Sequence, residues 1–99
     1  MFVVFFEDDG AAADQRSIHM QAHLTFLERN ADRIKAAGPV SDPRSSLPAG
    51  GLWTVDCKDE EDVWDLVKSD PFWPTGLRKS VTVHRWHRVF ADGIRQADS

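Results

Sequence analysis

Apolar residues along the chain fall into two patterns, short unbroken runs and widely spaced stripes. Phe2 to Phe6 is an unbroken run of β-branched and aromatic residues, which predicts a strand covered on both faces rather than one half open to water. Glu7-Asp8-Asp9-Gly10 closes it with turn chemistry. The next pattern is a helical stripe. Met20, Leu24, Leu27, Ala31 and Ile34 recur at steps of four, three, four and three, and Ile18, Phe26 and Ala37 widen the face. The spacing predicts an amphipathic helix of about five turns, entered through Ala11 to Asp14 and stopped at Gly38-Pro39.

From Gly38 to Gly51 the chain carries three Pro, three Gly and three Ser, which predicts loop for most of the stretch with a short strand around Val40. Leu52 to Cys57 reads as a strand. Asp59 is placed to cap a second helix whose first turn is acidic and whose apolar face is Val63, Trp64, Leu66 and Val67. That helix runs into Ser69-Asp70-Pro71-Phe72-Trp73-Pro74-Thr75-Gly76. Pro71 disfavours helical backbone at Asp70, so the helix stops there and leaves the carboxylate at a constrained corner. Ser80 to Trp86 alternates as a strand, and the small, polar tail from Ala91 to Ser99 is expected to fray.

This order is βαββαβ, an α+β ferredoxin-like arrangement with an antiparallel sheet and helices on one face. The chain of 99 residues fits one domain, 1–99, and a domain this small buries about two-thirds of its unfolded surface. Bulky apolar residues lie on both sides of the strands at Val3 and Trp53, so the sheet face opposite the helices needs a cover. A second copy of the chain supplies it in the expected homodimer, two sheets packed face to face.

A hydrophobic content of 41% and ten aromatic residues suit a packed core and exclude a disordered chain. The net charge is −4 and the basic residues are scattered, which excludes a nucleic-acid partner. Cys57 is the single cysteine, so neither an intramolecular disulfide nor a cysteine-rich zinc site can form, and a reducing cytoplasm is expected. The N-terminus has no basic segment and its apolar run is far too short for a signal peptide or a membrane span, so the chain reads as soluble, unexported and without a membrane partner.

His19 and His23, four apart on the first helix, share a face, but two imidazoles without a third spaced ligand make no metal site. His84 and His87 are three apart on a strand and point to opposite faces. No glycine-rich phosphate loop and no nucleophile elbow is present. One set of positions does form a pattern: Arg16, then His23-Leu24, Ala37-Gly38-Pro39, Gly51-Leu52 opening a strand, and Asp70-Pro71-Phe72 followed by Gly76. In order and spacing the chain resembles the YCII-like (YciI-related) family of small bacterial proteins over roughly residues 1 to 90.

The resemblance implies a ferredoxin-like fold dimerising as an α/β barrel, and a catalytic pair formed by His23 and Asp70. Arg16, Gly38, Pro39, Pro71 and Phe72 are the accompanying candidates for substrate contact; Arg16, one or two turns before His23, either binds an anionic oxygen of the ligand or forms a helix-surface ion pair. The loop from Val40 to Gly50 is shorter and less glycine-rich than in some members and carries Arg44-Ser45-Ser46, where substrate choice would differ. The pair makes chemical sense by itself. An imidazole has an unperturbed pKa of about 6.5, and a carboxylate on one nitrogen fixes the tautomer and leaves the other nitrogen to move a proton at neutral pH. Two functions are compatible with this site. One is a small-molecule enzyme doing acid/base chemistry without metal or organic cofactor, by isomerisation, elimination or dehydrochlorination of a small oxygenated aromatic or lactone-like substrate. The other is a dimeric ligand-binding or accessory module using the same pocket without turnover.

Overall fold

The computed structural model describes residues 1–97. β1 (Phe2–Asp8) is followed by a 3₁₀ turn at Gly10–Ala12, α1 (Asp14–Ile18), α2 (Met20–Arg29), β2 (Ile34–Val40), β3 (Gly50–Val55), α3 (Glu60–Ser69), a second 3₁₀ turn at Trp73–Thr75 and β4 (Arg78–Arg85). The four strands form one antiparallel sheet in the order β2-β3-β1-β4, the ferredoxin-like arrangement. Phe2, Val4 and Phe6 of β1 face the helices and pack with Trp53 and Val55 of β3, Phe26 of α2, and Val63, Leu66 and Val67 of α3. Val3 and Phe5 point to the other side of the sheet, where Phe5 is half exposed. Among the described residues no helix is long and apolar enough to cross a membrane.

The first helix is shorter than its stripe predicts. It breaks at His19, ends at Arg29, and Ile34 to Val40 is a strand. Asn30 is the reason for the early stop: its amide nitrogen donates to the Phe26 carbonyl at 2.8 Å and its backbone N–H reaches the Phe26 and Leu27 carbonyls, closing the last turn. The strand placed near Val40 therefore reaches back to Ile34, and Gly38-Pro39 belongs to it rather than to a helix end. Pro39 is tolerated because β2 lies at the sheet edge, where one side of the backbone has no ladder partner.

The tail also carries more structure than its composition suggests. Phe90–Ala91 and Ile94–Arg95 pair as a small hairpin around Asp92-Gly93, both with positive φ, the conformation a tight two-residue hairpin turn requires. Residues 98 and 99, the end of the stretch expected to fray, lie outside the described residues.

β1 and β3 approach closely at Gly50. A Cβ there would lie 1.9 Å from the Phe6 carbonyl oxygen, a backbone atom that cannot rotate away. Gly50→Ala is therefore expected to destabilise the fold by about 3 kcal/mol, at the upper end for overpacking. Urea denaturation checks this, and a midpoint equal to the parent's would show that the two strands part without cost.

Candidate functional site

The corner after α3 is built as the Asp-Pro dipeptide dictates. The helix ends at Ser69, and Asp70 takes extended backbone with φ −65° and ψ 131°. Its side chain folds back so that Oδ1 accepts from the Phe72 backbone N–H at 3.1 Å, and the Asp70 carbonyl accepts from Trp73 N–H at 2.8 Å. Thr75 locks the rest of the turn by donating to the Phe72 carbonyl and accepting from Leu77 N–H. Asp70 is only 3% exposed, so its orientation is set by this turn and not by solvent.

Across from it, His23 on α2 is buried, with its Nδ1 2.8 Å from Asp70 Oδ1. The Phe72 ring stacks beneath the imidazole with centroids 4.2 Å apart and planes 19° from parallel. Oδ1 accepts from both Phe72 N–H and the His23 Nδ1–H, and this fixes the tautomer. Nε2 makes no hydrogen bond among the described residues, and His23 lines an open pocket of about 90 Å³. That leaves a proton-accepting nitrogen facing the cavity.

Arg16, Leu24, Gly38, Pro39, Gly51 and Arg78 also line this pocket. Five of these positions belong to the pattern read from the sequence, which folding gathers from α1, α2, β2 and β3 onto one cavity. Phe72 is fully buried beneath His23, and neither it nor Pro71 is part of the pocket lining. His19 turns away to Gln15, 3.1 Å from its Oε1, and His84 sits edge-on to Phe5 on the far face of the sheet. The Arg44 side chain pairs with Asp42 on the exposed loop and does not reach the pocket.

Two residues of the site, Asp8 and Arg78, had not been singled out. Asp8, at the end of β1, holds two guanidinium groups: Arg16 through Oδ2 and Arg78 through Oδ1, the latter at 2.9 Å. The Arg78 guanidinium carbon sits over the Phe6 ring, 4.1 Å from its centroid, and the side chain is 4% exposed. Burial pulls its pKa below the ordinary value for arginine, opposed by the Asp8 carboxylate. Strand alternation through Val83 and Val81 would send Lys79 inward. A register shift between Glu7 and Asp8 adds one residue to β4, so Arg78 points inward and Lys79 stays in solvent beside Glu7.

The YCII-related domain family matches residues 1–87. The chain belongs to the YCII-related family. No curated protein sequence matches it. Among solved structures it is similar to 5-chloro-2-hydroxyhydroquinone dehydrochlorinase (TftG) from Burkholderia phenoliruptrix AC1100 in complex with 2,5-dihydroxybenzoquinone. The two share 25% sequence identity, with a TM-score of 0.75, over 87% of this chain and 92% of that one. This YCII-related chain thus shares its fold with a dehydrochlorinase, and its His23, backed by the buried Asp70, lines one pocket with the paired arginines.

Proposed function

We propose that the protein is a small-molecule enzyme in which His23 moves a proton and Asp70 orients it, acting on a small oxygenated aromatic or lactone-like substrate by elimination, dehydrochlorination or isomerisation. The observation that carries this reading is the buried 2.8 Å contact between His23 Nδ1 and Asp70 Oδ1, with Nε2 left toward the pocket. A substrate hydroxyl or activated C–H within reach of Nε2 gives up its proton, and the negative charge left behind spreads into the ring oxygens beside Arg16. Likeness to a dehydrochlorinase at 25% identity favours this class of chemistry over binding without turnover. We place the enzyme in the cytoplasm, where the free Cys57 suits reducing conditions, and as a homodimer through the apolar sheet face.

The test is a turnover screen on chlorinated hydroxyhydroquinones and small lactones, followed by loss of chloride or ring isomerisation, with wild-type protein, His23→Ala and Asp70→Asn. Turnover that needs both side chains supports the reading. Turnover indifferent to both would remove His23 and Asp70 from the chemistry, and binding without any conversion would leave the accessory-module alternative in its place.

The orienting role has its own signature. Nitrogen NMR of labelled His23, read at a pH where the ring carries a single proton, should show that proton on Nδ1 in the wild type, where it is committed to Asp70. Asp70→Ala removes the acceptor and should return the ring to a mixture rich in the Nε2–H form. An unchanged tautomer in Asp70→Ala would show that Asp70 does not orient His23.

A further inference from the structure

Two guanidinium groups share one carboxylate at the pocket's edge, and they are not equivalent. Arg16 is the more exposed, and its Nη2 is engaged with Asp8 and turned toward the Gly50 carbonyl at 3.5 Å. Arg78 is the more deeply buried, packed on Phe6 and within 5.2 Å of the Phe72 ring centroid. It makes a single hydrogen bond among the described residues, to Asp8, and its Nε is buried without a partner. An arginine held this way carries a desolvation cost that packing alone does not explain, because an apolar side chain of similar length would fill the space without it.

The space around that guanidinium is kept open by the backbone. A Cβ at Gly51 would lie 3.2 Å from Arg78 Nη1 and 3.6 Å from Nη2, so glycine there leaves room for the terminal nitrogens, which reach across β1 to the pocket wall at β3. Asp70, the other nearby carboxylate, spends Oδ1 on His23 and Phe72 N–H and is 3% exposed. Two cations, Arg16 and Arg78, therefore line the pocket, while the carboxylates that act on Arg78, Asp8 and Asp70, stand behind the lining.

We propose that Arg78 is the anion anchor of the pocket, a specificity-determining residue whose guanidinium holds an ionised oxygen of a small acidic ligand, a phenolate, enolate or carboxylate, beside His23. When His23 Nε2 takes a proton from such a ligand, the electron pair stays on the oxygen and the charge falls next to a fixed, poorly hydrated cation. The proposal deepens the acid/base reading and rests on it for the origin of the oxygen's charge. The preference for an anion over a neutral isostere is assigned to Arg78, the more buried of the two cations, and does not depend on proton transfer by His23.

Calorimetric titration of the full chain with benzoate and with benzamide, at low salt, tests it. Wild-type protein should bind benzoate at least about tenfold more tightly, the scale of a charge-assisted hydrogen bond in a part-buried site. The preference should shrink to about twofold or less in Arg78→Lys, which keeps charge but loses the planar fork, and in Arg78→Gln combined with Asp8→Asn, which removes both buried charges together. Circular dichroism establishes that each variant is folded, and the double variant stands in where the lysine variant fails. His23→Ala should keep the preference. Equal binding of the two probes by wild type, or a preference that survives in the folded Arg78 variants, overturns the anchor. Loss of charge preference in the Arg78 variants, together with turnover indifferent to His23→Ala, overturns the acid/base reading while the anchor stands.

Discussion

Replacing His23 by Ala is expected to lower kcat by about a hundredfold to ten-thousandfold, the contribution of a positioned general base, while KM changes little. The pocket is shaped by side chains from α1, α2, β2, β3 and β4 besides His23, and truncating one ring leaves those contacts in place. Asp70→Asn is the sharper companion variant. Its amide oxygen can still accept from Phe72 N–H and from the imidazole Nδ1–H, so the turn after α3 and the ring's position persist. What disappears is the negative charge that stabilises the imidazolium formed when Nε2 takes the proton. A fall in kcat of about a hundredfold with an unchanged unfolding midpoint is expected, and added imidazole should restore part of the activity of His23→Ala but none of that of Asp70→Asn. Steady-state kinetics on whichever substrate the screen finds reads all three outcomes. A kcat within a few-fold of wild type in both variants would remove the pair from the chemistry.

Much of this site is legible in the residues alone, and the parts that are not share physical causes. Asp70-Pro71 could be read because proline acts on its neighbour's backbone locally, with no tertiary information needed. His23 could be placed on a helix face because its flanking stripe is truly helical from Met20 to Leu27. The stripe then misled, since Ala31, Ile34 and Ala37 continue the spacing although the chain has already turned at Asn30 and entered an edge strand. Only Ile34 of that strand is buried, so periodicity beyond Asn30 reflected coincidence and not a helix face. Asp8 and Arg78 escaped for a different reason. Their meeting depends on a one-residue bulge between strands that are 70 positions apart for this pair, and period-two counting assigns the inward position to Lys79. The Asp92-Gly93 turn carried a readable hairpin signal, but its two-residue strands are too short for alternation to show.

The other large effect concerns assembly. Val3, Phe5, Leu52, Thr54 and Trp86 line a shallow apolar depression on the sheet face opposite the helices, with Phe5 49% and Trp86 42% exposed. Val3, Phe5, Leu52 and Thr54 lie on the two central strands, so the exposure is not a frayed edge but the middle of the sheet. In a face-to-face dimer each copy presents this same surface to the other, and a stable interface would cover about 600 Å² of each, about a tenth of the chain's 6581 Å² surface. Sedimentation at micromolar concentration is expected to report a species near twice the 11.2 kDa chain mass. Phe5→Glu should weaken the dimer by about a hundredfold or more, because it sets a carboxylate from each copy into an apolar contact with no cation opposite. The helix-side core does not include the Phe5 side chain, so the variant should stay folded as a monomer, with its His23–Asp70 pair intact. A wild-type monomer at that concentration, or a Phe5→Glu protein that sediments as a dimer, would mean that this face is not what joins two copies and that the apolar run of β1 has another cause.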